Sequence, residues 1–352
     1  MANRNGEVLN VGENANGSWS PRSGELWWFK GFGDKTEVHA VTPAGRDRLV
    51  TRLPGDFDLY DISSEGRMLV GHTQHRGGMV GSFAAGGSER SLTWLDASSP
   101  AALSADGLTL LFLDRGDAAD MRVVDAYLRK TDGSPAVRLG EGFPLDLSPD
   151  GKWALVHREV PKGHLVLLPT GAGQEKEIPS GSAVPVFWAQ FHPDGKRIFL
   201  MGERPGDAMA IYEQSLESSA QRLITHVPQG CNCALSPEGS QLATVDNDRN
   251  LIIARTDSIT GAGASPRTVA RLAGKEGPIH WSADGRALLI ADESRFPIRV
   301  DRLEVSSGRR SFWRYVSGEG QPSGLAVSAN EQAWVVGYSR ESSELQLIEG
   351  LQ

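Results

Sequence analysis

Cysteine is almost absent from the chain. Two in 352 residues, Cys231 and Cys233, cannot make a disulfide framework. No stretch approaches about 18 consecutive apolar residues, which excludes an ordinary transmembrane helix. Basic excess is missing too: 36 Lys and Arg stand against 44 Asp and Glu, for a formal net charge of −8. That sign offers no general attraction to nucleic-acid phosphates or to an anionic membrane, and it reads as plain solubility. The opening residues, Met1 to Glu7, have no apolar core and so do not read as a signal peptide. The expectation is a monomer in the cytoplasm, or an extracytoplasmic position if the chain is part of a longer membrane protein.

Glycine, by contrast, is plentiful at 41 residues, and nine tryptophans are spread along the chain. The glycines follow a pattern: an apolar residue, Ser, Pro or Ala, an acid, then Gly. It reads Leu103-Ser104-Ala105-Asp106-Gly107, Leu147-Ser148-Pro149-Asp150-Gly151 and Phe191-His192-Pro193-Asp194-Gly195. It returns as Leu235-Ser236-Pro237-Glu238-Gly239 and Trp281-Ser282-Ala283-Asp284-Gly285. Ile62-Ser63-Ser64-Glu65-Gly66 fits, Trp19-Ser20-Pro21-Arg22-Ser23-Gly24 fits with one extra residue, and Val327-Ser328-Ala329-Asn330-Glu331 fits with the glycine replaced. Pro presets an early turn position, Asp or Asn bonds nearby backbone, and Gly takes positive φ without steric cost. Each motif therefore predicts a tight turn between antiparallel strands.

Short apolar runs flank every turn, for example Leu145 to Leu147 before one and Trp153 to Val156 after it. A third run follows, such as Leu165 to Leu168 or Leu251 to Ala254. A fourth, more polar one closes each unit, such as Gln221 to Ile224 or Arg267 to Ala270. Runs this short between turn signals are strands, and four per repeat make a propeller blade. The motif recurs every 41 to 46 residues, and the residues outside the first and last anchors together make one more period. The spacing predicts an all-β fold: a single β-propeller over residues 1–352 with eight four-stranded blades, seven being the alternative. The chain ends share a blade in this reading. Leu325 to Val327, Ala333 to Val336 and Leu345 to Ile348 supply its inner strands, and Glu7 to Val11 its outermost.

At this level the anchors resemble the PD-type, WD-like repeats of TolB-like propellers. Longer strings resemble the C-terminal propeller of bacterial eukaryotic-like serine/threonine protein kinases. These are Ser91 to Asp96, Tyr127 to Gly142 and Glu344 to Leu351. The resemblance implies a sensing or binding domain. Kinase chemistry does not come with it, because the phosphate loop and the catalytic aspartates are missing. Gln74-His75-Arg76-Gly77 lacks the aspartate after His-Arg, and Asp56-Phe57-Asp58 lacks the glycine. Hydrolase chemistry is likewise unsupported, since Gly337-Tyr338-Ser339-Arg340-Glu341 is not a nucleophile elbow.

No metal site or cofactor is expected. The eight histidines show no ligand spacing, and His72 and His75 fall on what reads as a loop. Cys231 and Cys233 would share a strand face, but they read as buried structural residues. One position does repay comparison across blades. Two residues before each motif serine stand Asp61, Ala102, Asp146, Gln190, Ala234, His280 and Ala326. If this set borders the central channel, Asp61, Asp146, Gln190 and His280 are its polar, ligand-facing members. Their alternative role is bonding backbone or buried water. The function this supports is a non-catalytic binding or sensory module for a protein, peptide or small molecule. The alternatives are a lyase- or lactonase-like propeller enzyme with a channel metal, and a purely structural scaffold.

Overall fold

The chain was analysed as a computed structural model, which describes residues 15–31, 35–83, 87–95, 97–114, 124–159, 163–183, 186, 188–228, 232–257 and 266–350. All the regular elements among them are strands: β1 Ala15–Trp19, β2 Leu26–Gly31, β3 Lys35–Val41, β4 Asp47–Pro54, β5 Asp56–Ile62, β6 Met68–Ser82 and β7 Arg90–Ser91. There follow β8 Ser99–Leu103, β9 Thr109–Asp114, β10 Asp125–Lys130, β11 Val137–Glu141, β12 Phe143–Leu147, β13 Trp153–Arg158, β14 His164–Pro169 and β15 Lys176–Glu177. The next are β16 Trp188–Phe191, β17 Arg197–Gly202, β18 Ala210–Ser215, β19 Gln221–His226, β20 Ala234–Leu235, β21 Gln241–Val245, β22 Asn250–Arg255 and β23 Arg267–Arg271. The last are β24 Gly277–Trp281, β25 Ala287–Ala291, β26 Ile298–Glu304, β27 Arg310–Val316, β28 Gln321–Val327 and β29 Trp334–Ile348.

All eight motif anchors lie in the left-handed region: Gly24, Gly66, Gly107, Gly151, Gly195, Gly239 and Gly285, and also Glu331 at φ 59°. The turn chemistry repeats with the sequence. At Ser104 the carbonyl accepts Gly107 N–H at 2.8 Å, and the hydroxyl accepts Thr109 N–H and donates to Asp106. Asp106 in turn accepts Leu108 N–H. The same set joins Ser148 to Asp150, Ser282 to Asp284 and Ser328 to Asn330. The serine hydroxyls hold the Asp106, Asp150 and Asp284 carboxyls below the usual range. His192 replaces the serine and keeps part of the role, its Nδ1 accepting Asp194 N–H at 3.1 Å. The extra residue of the first motif is absorbed in a wider turn, with Gly24 N–H reaching the Ser20 carbonyl.

Eight such hairpins make seven antiparallel sheets, in keeping with a propeller of seven or eight blades by count. Six sheets are four-stranded, β1–β4, β8–β11, β12–β15, β16–β19, β20–β23 and β24–β27. The seventh runs β28-β29-β6-β5, with β7 also on β6. It collects two hairpins because β6 and β29 are each fifteen residues long. Leu345 to Ile348 thus continues β29 and is not the separate third strand expected from sequence. The expected N-terminal strand, Glu7 to Val11, lies outside the described residues.

The chain divides into two compact units. The smaller holds the described residues from 15 to 76 and from 340 to 350. Its core is Trp27, Phe29, Val38 and Ala40 from the first sheet against Phe57, Leu59, Ile62, Met68 and Val70 from β5 and β6. In the larger unit, residues 77–114 and 124–339, five four-stranded sheets and the part of the seventh sheet made by β28 with the adjoining portions of β29 and β6 pack face to face in a closed ring. Each neighbouring pair shares an apolar cluster. Leu111 and Leu147 lie in one, Leu155 and Phe191 in the next, then Phe199 and Leu235, Ala243 and Trp281, Leu289 and Trp334, and Val335 with Leu110 closes the circle. Burying both faces of each sheet removes the exposed apolar face that an isolated four-stranded sheet would carry.

The turn analysis sets two glycines apart. A Cβ on Gly151 would meet nothing, whereas one on Gly107 would lie 2.7 Å from the Ala333 Cβ. Gly151→Ala should therefore cost only the left-handed penalty, about 1–2 kcal/mol. Gly107→Ala should cost roughly 1–3 kcal/mol more through overpacking. Urea unfolding of the two variants checks the order; equal losses would mean that the close approach is relieved cheaply.

Candidate functional site

The first strands of the six ring sheets, β8, β12, β16, β20, β24 and β28, surround one cavity of about 870 Å³. It runs from the motif turns, at Ser104, Ser148 and Ser236, to the opposite strand ends, at Pro100, Trp188, Pro278 and Gly324. Several walls are bulged. The pairing slips between Pro100 and Ala102, Pro144 and Asp146, and Pro278 and His280. Proline has no N–H for the ladder, and a bulge beside it re-aims the side chains that follow. Adjacent residues such as Leu145 and Asp146, or Ile279 and His280, accordingly both line the cavity.

Three of the four polar residues singled out from sequence meet here: Asp146, Gln190 and His280. Asp61 does not. It lies on β5 in the smaller unit, exposed, and accepts Ile62 N–H at 2.8 Å. The alanines of the set, Ala102, Ala234 and Ala326, complete the same level of the wall.

The polar members tie each inner strand to the next. Asp146 takes Leu147 N–H on one oxygen and Phe191 N–H, from the neighbouring strand, on the other at 2.8 Å. Gln190 Oε1 accepts Leu235 N–H at 3.3 Å. Trp281 Nε1 donates to the Ala234 carbonyl at 2.8 Å. His280 Nε2 is buried without a partner. The backbone-bonding role weighed at the sequence level is thus in place for Asp146 and Gln190.

Glu293 is not among the residues before the motif serines. It sits two residues past β25 and eight past its motif glycine, where Glu159 and Glu203 also stand, and enters the cavity from the end opposite the turns. Asn232 Nδ2 donates to it at 3.0 Å, and Leu325 contributes a backbone bond. Burial pushes the Glu293 and Asp146 carboxyls up to about 7, against the pull of these donors. Burial also drives His280 down to about 4, so the ring is neutral.

Among the described residues, no group of three or more His, Cys, Asp or Glu is placed to hold a metal ion. Cys233 is buried with Sγ 3.3 Å from Thr244 Oγ1, and Cys231 lies outside the described residues. His72 lies within β6, not in the loop expected, and stacks on Phe57 at 4.4 Å; His75 is on the same strand. The Gly337 to Glu341 string is interior to β29, so it makes no elbow.

Solved structures that are similar in fold include two TolB proteins. The putative TolB from Agrobacterium tumefaciens is 18% identical, matching 76% of this chain and 99% of its own with a TM-score of 0.57. TolB from Acinetobacter baumannii is 15% identical over 90% of this chain and 81% of its own, with a TM-score of 0.50. The fold is that of a TolB-like β-propeller. No protein-family model matches the chain, and no curated protein does. Among the described residues of this TolB-like propeller, no helix is long and apolar enough to cross a membrane.

The buried acids give the fold a pH dependence of defined sign. Between about pH 4 and 7 the folded carboxyls keep protons that the unfolded chain has lost. Their part of the stability is present at low pH and is lost as pH rises towards 7. His280 acts oppositely, losing its part as pH falls from its ordinary value towards about 4. Glu293→Gln should therefore flatten the loss between about pH 5 and 8 by on the order of 1–3 kcal/mol. Urea midpoints at the two pH values measure this; an unchanged slope would mean that Glu293 ionises normally in the folded state.

Proposed function

We propose that the chain is a non-catalytic binding module whose ring cavity receives a ligand, and that it serves as the sensor end of a kinase-linked protein. The observation that carries the binding part is how the cavity's polar groups are used. Both oxygens of Asp146 and the Oε1 of Gln190 already accept backbone N–H groups of the inner strands. Groups engaged in this way form a fixed, hydrogen-bonded wall, suited to recognising a ligand and poorly placed for a nucleophile or a metal. Asp146, Gln190 and His280 are its ligand-facing members. The kinase link rests on the resemblance of Tyr127 to Gly142, which forms the hairpin of β10 and β11, and of Glu344 to Leu351.

An enzyme reading has one observation in its favour: Asp146 and Glu293, each raised to about 7, have the proton affinity of general acid–base groups. Metal analysis of the purified full chain separates the readings. The expected result is no stoichiometric divalent ion, and a tightly held one would turn the assignment to a channel-metal enzyme. The kinase link is tested by the gene, where an in-frame kinase domain and membrane helix upstream are expected. A free-standing reading frame would remove that half of the proposal and leave the binding module.

A further inference from the structure

The cavity wall carries a charge imbalance that specifies what it can hold. Its described lining includes two carboxylic acids, Asp146 and Glu293, and no lysine or arginine. The imbalance does not come from composition, since the chain as a whole has 36 basic residues. Trp188, half-buried, supplies aromatic surface among the lining residues. Carboxylic acids with no cationic residue in the lining, beside an aromatic ring, match one ligand chemistry: a positively charged donor on an apolar body.

We infer that the cavity takes a small organic cation, an amine or amidine carried on an aromatic or aliphatic body, with Glu293 and Asp146 as counter-charges. This rests on the reading of the cavity as a ligand site. Anions are disfavoured because a buried anion would meet two acids with no basic residue in the lining.

Benzylamine, benzyl alcohol and benzoate, nearly equal in size and different in charge, are the probes. Each is titrated calorimetrically into the full chain at about pH 8, where both acids are largely ionised. Benzylamine should bind at least about tenfold more tightly than benzyl alcohol, and benzoate most weakly. Glu293→Gln should shrink the benzylamine advantage several-fold and leave benzyl alcohol unchanged. Equal binding of the amine and the alcohol, or tighter binding of benzoate, would overturn the cation assignment and leave the cavity as a ligand site. Failure of all three to bind would count against the cavity reading itself. Retention of the full amine advantage in a folded Glu293→Gln protein would remove Glu293 as counter-charge. The three-probe comparison on the unaltered chain decides cation selection even if the variant does not fold.

Discussion

Each of the eight motif turns holds one residue at positive φ. The left-handed residue lets a short connection reverse the chain with the strand twist a blade requires, and the Ser-to-Asp bond fixes the turn's other end. Regular reversal every four dozen residues or fewer is what allows seven sheets of similar size, and similar sheets can bury their faces against one another. Glu331 shows how strong the constraint is. A glutamate holds φ 59° there, paired with Arg302, while Ser328 and Asn330 keep the hydrogen bonds of the motif. The backbone conformation persisted where the glycine did not.

Ring closure in the larger unit then decides what the inner strands can carry. Their apolar residues go between sheets, as Leu147, Phe191, Leu235 and Trp281 do, and all four are buried. Their alternate residues face inwards, and a buried polar side chain there must find a partner. The nearest donors are the N–H groups of the next inner strand. Asp146 and Gln190 take these, so one set of side chains both stitches the ring and paints the cavity wall. Stability and recognition are coupled in the same few residues.

Much of this could be read from residues alone. The eight turns, the strand runs around them and the inward position of Asp146, Gln190 and His280 follow from spacing and alternation. Four features did not follow, each for a physical reason. Arg340 to Glu344 is polar and exposed, so it reads as a loop, yet it lies within β29 because strand pairing needs only backbone. His72 and His75 sit near several glycines, which suggest a turn, although β6 passes straight through them. Asp61 occupies the right motif position but belongs to the smaller unit, because membership of the ring is set by which sheets share apolar faces and not by the repeat count. Glu293 stands eight residues past its motif glycine, as Glu159 and Glu203 do, beyond the inner-strand positions where alternation marks the channel side.

Glu293 and Asp146 also explain why charge selection follows from the architecture. A carboxylate set into the wall of this cavity loses solvation that its hydrogen bonds only partly replace. That loss is what pushes both groups up to about 7. A cation entering the same space returns the missing interaction, and linkage then requires the two events to reinforce each other: a bound cation lowers the proton affinity of the acids, and deprotonation tightens the cation. A neutral ligand of the same shape would gain the apolar contact alone. The acids' cost in the empty cavity and the preference for positive charge are thus two sides of one electrostatic balance, set by how closely the six inner strands approach.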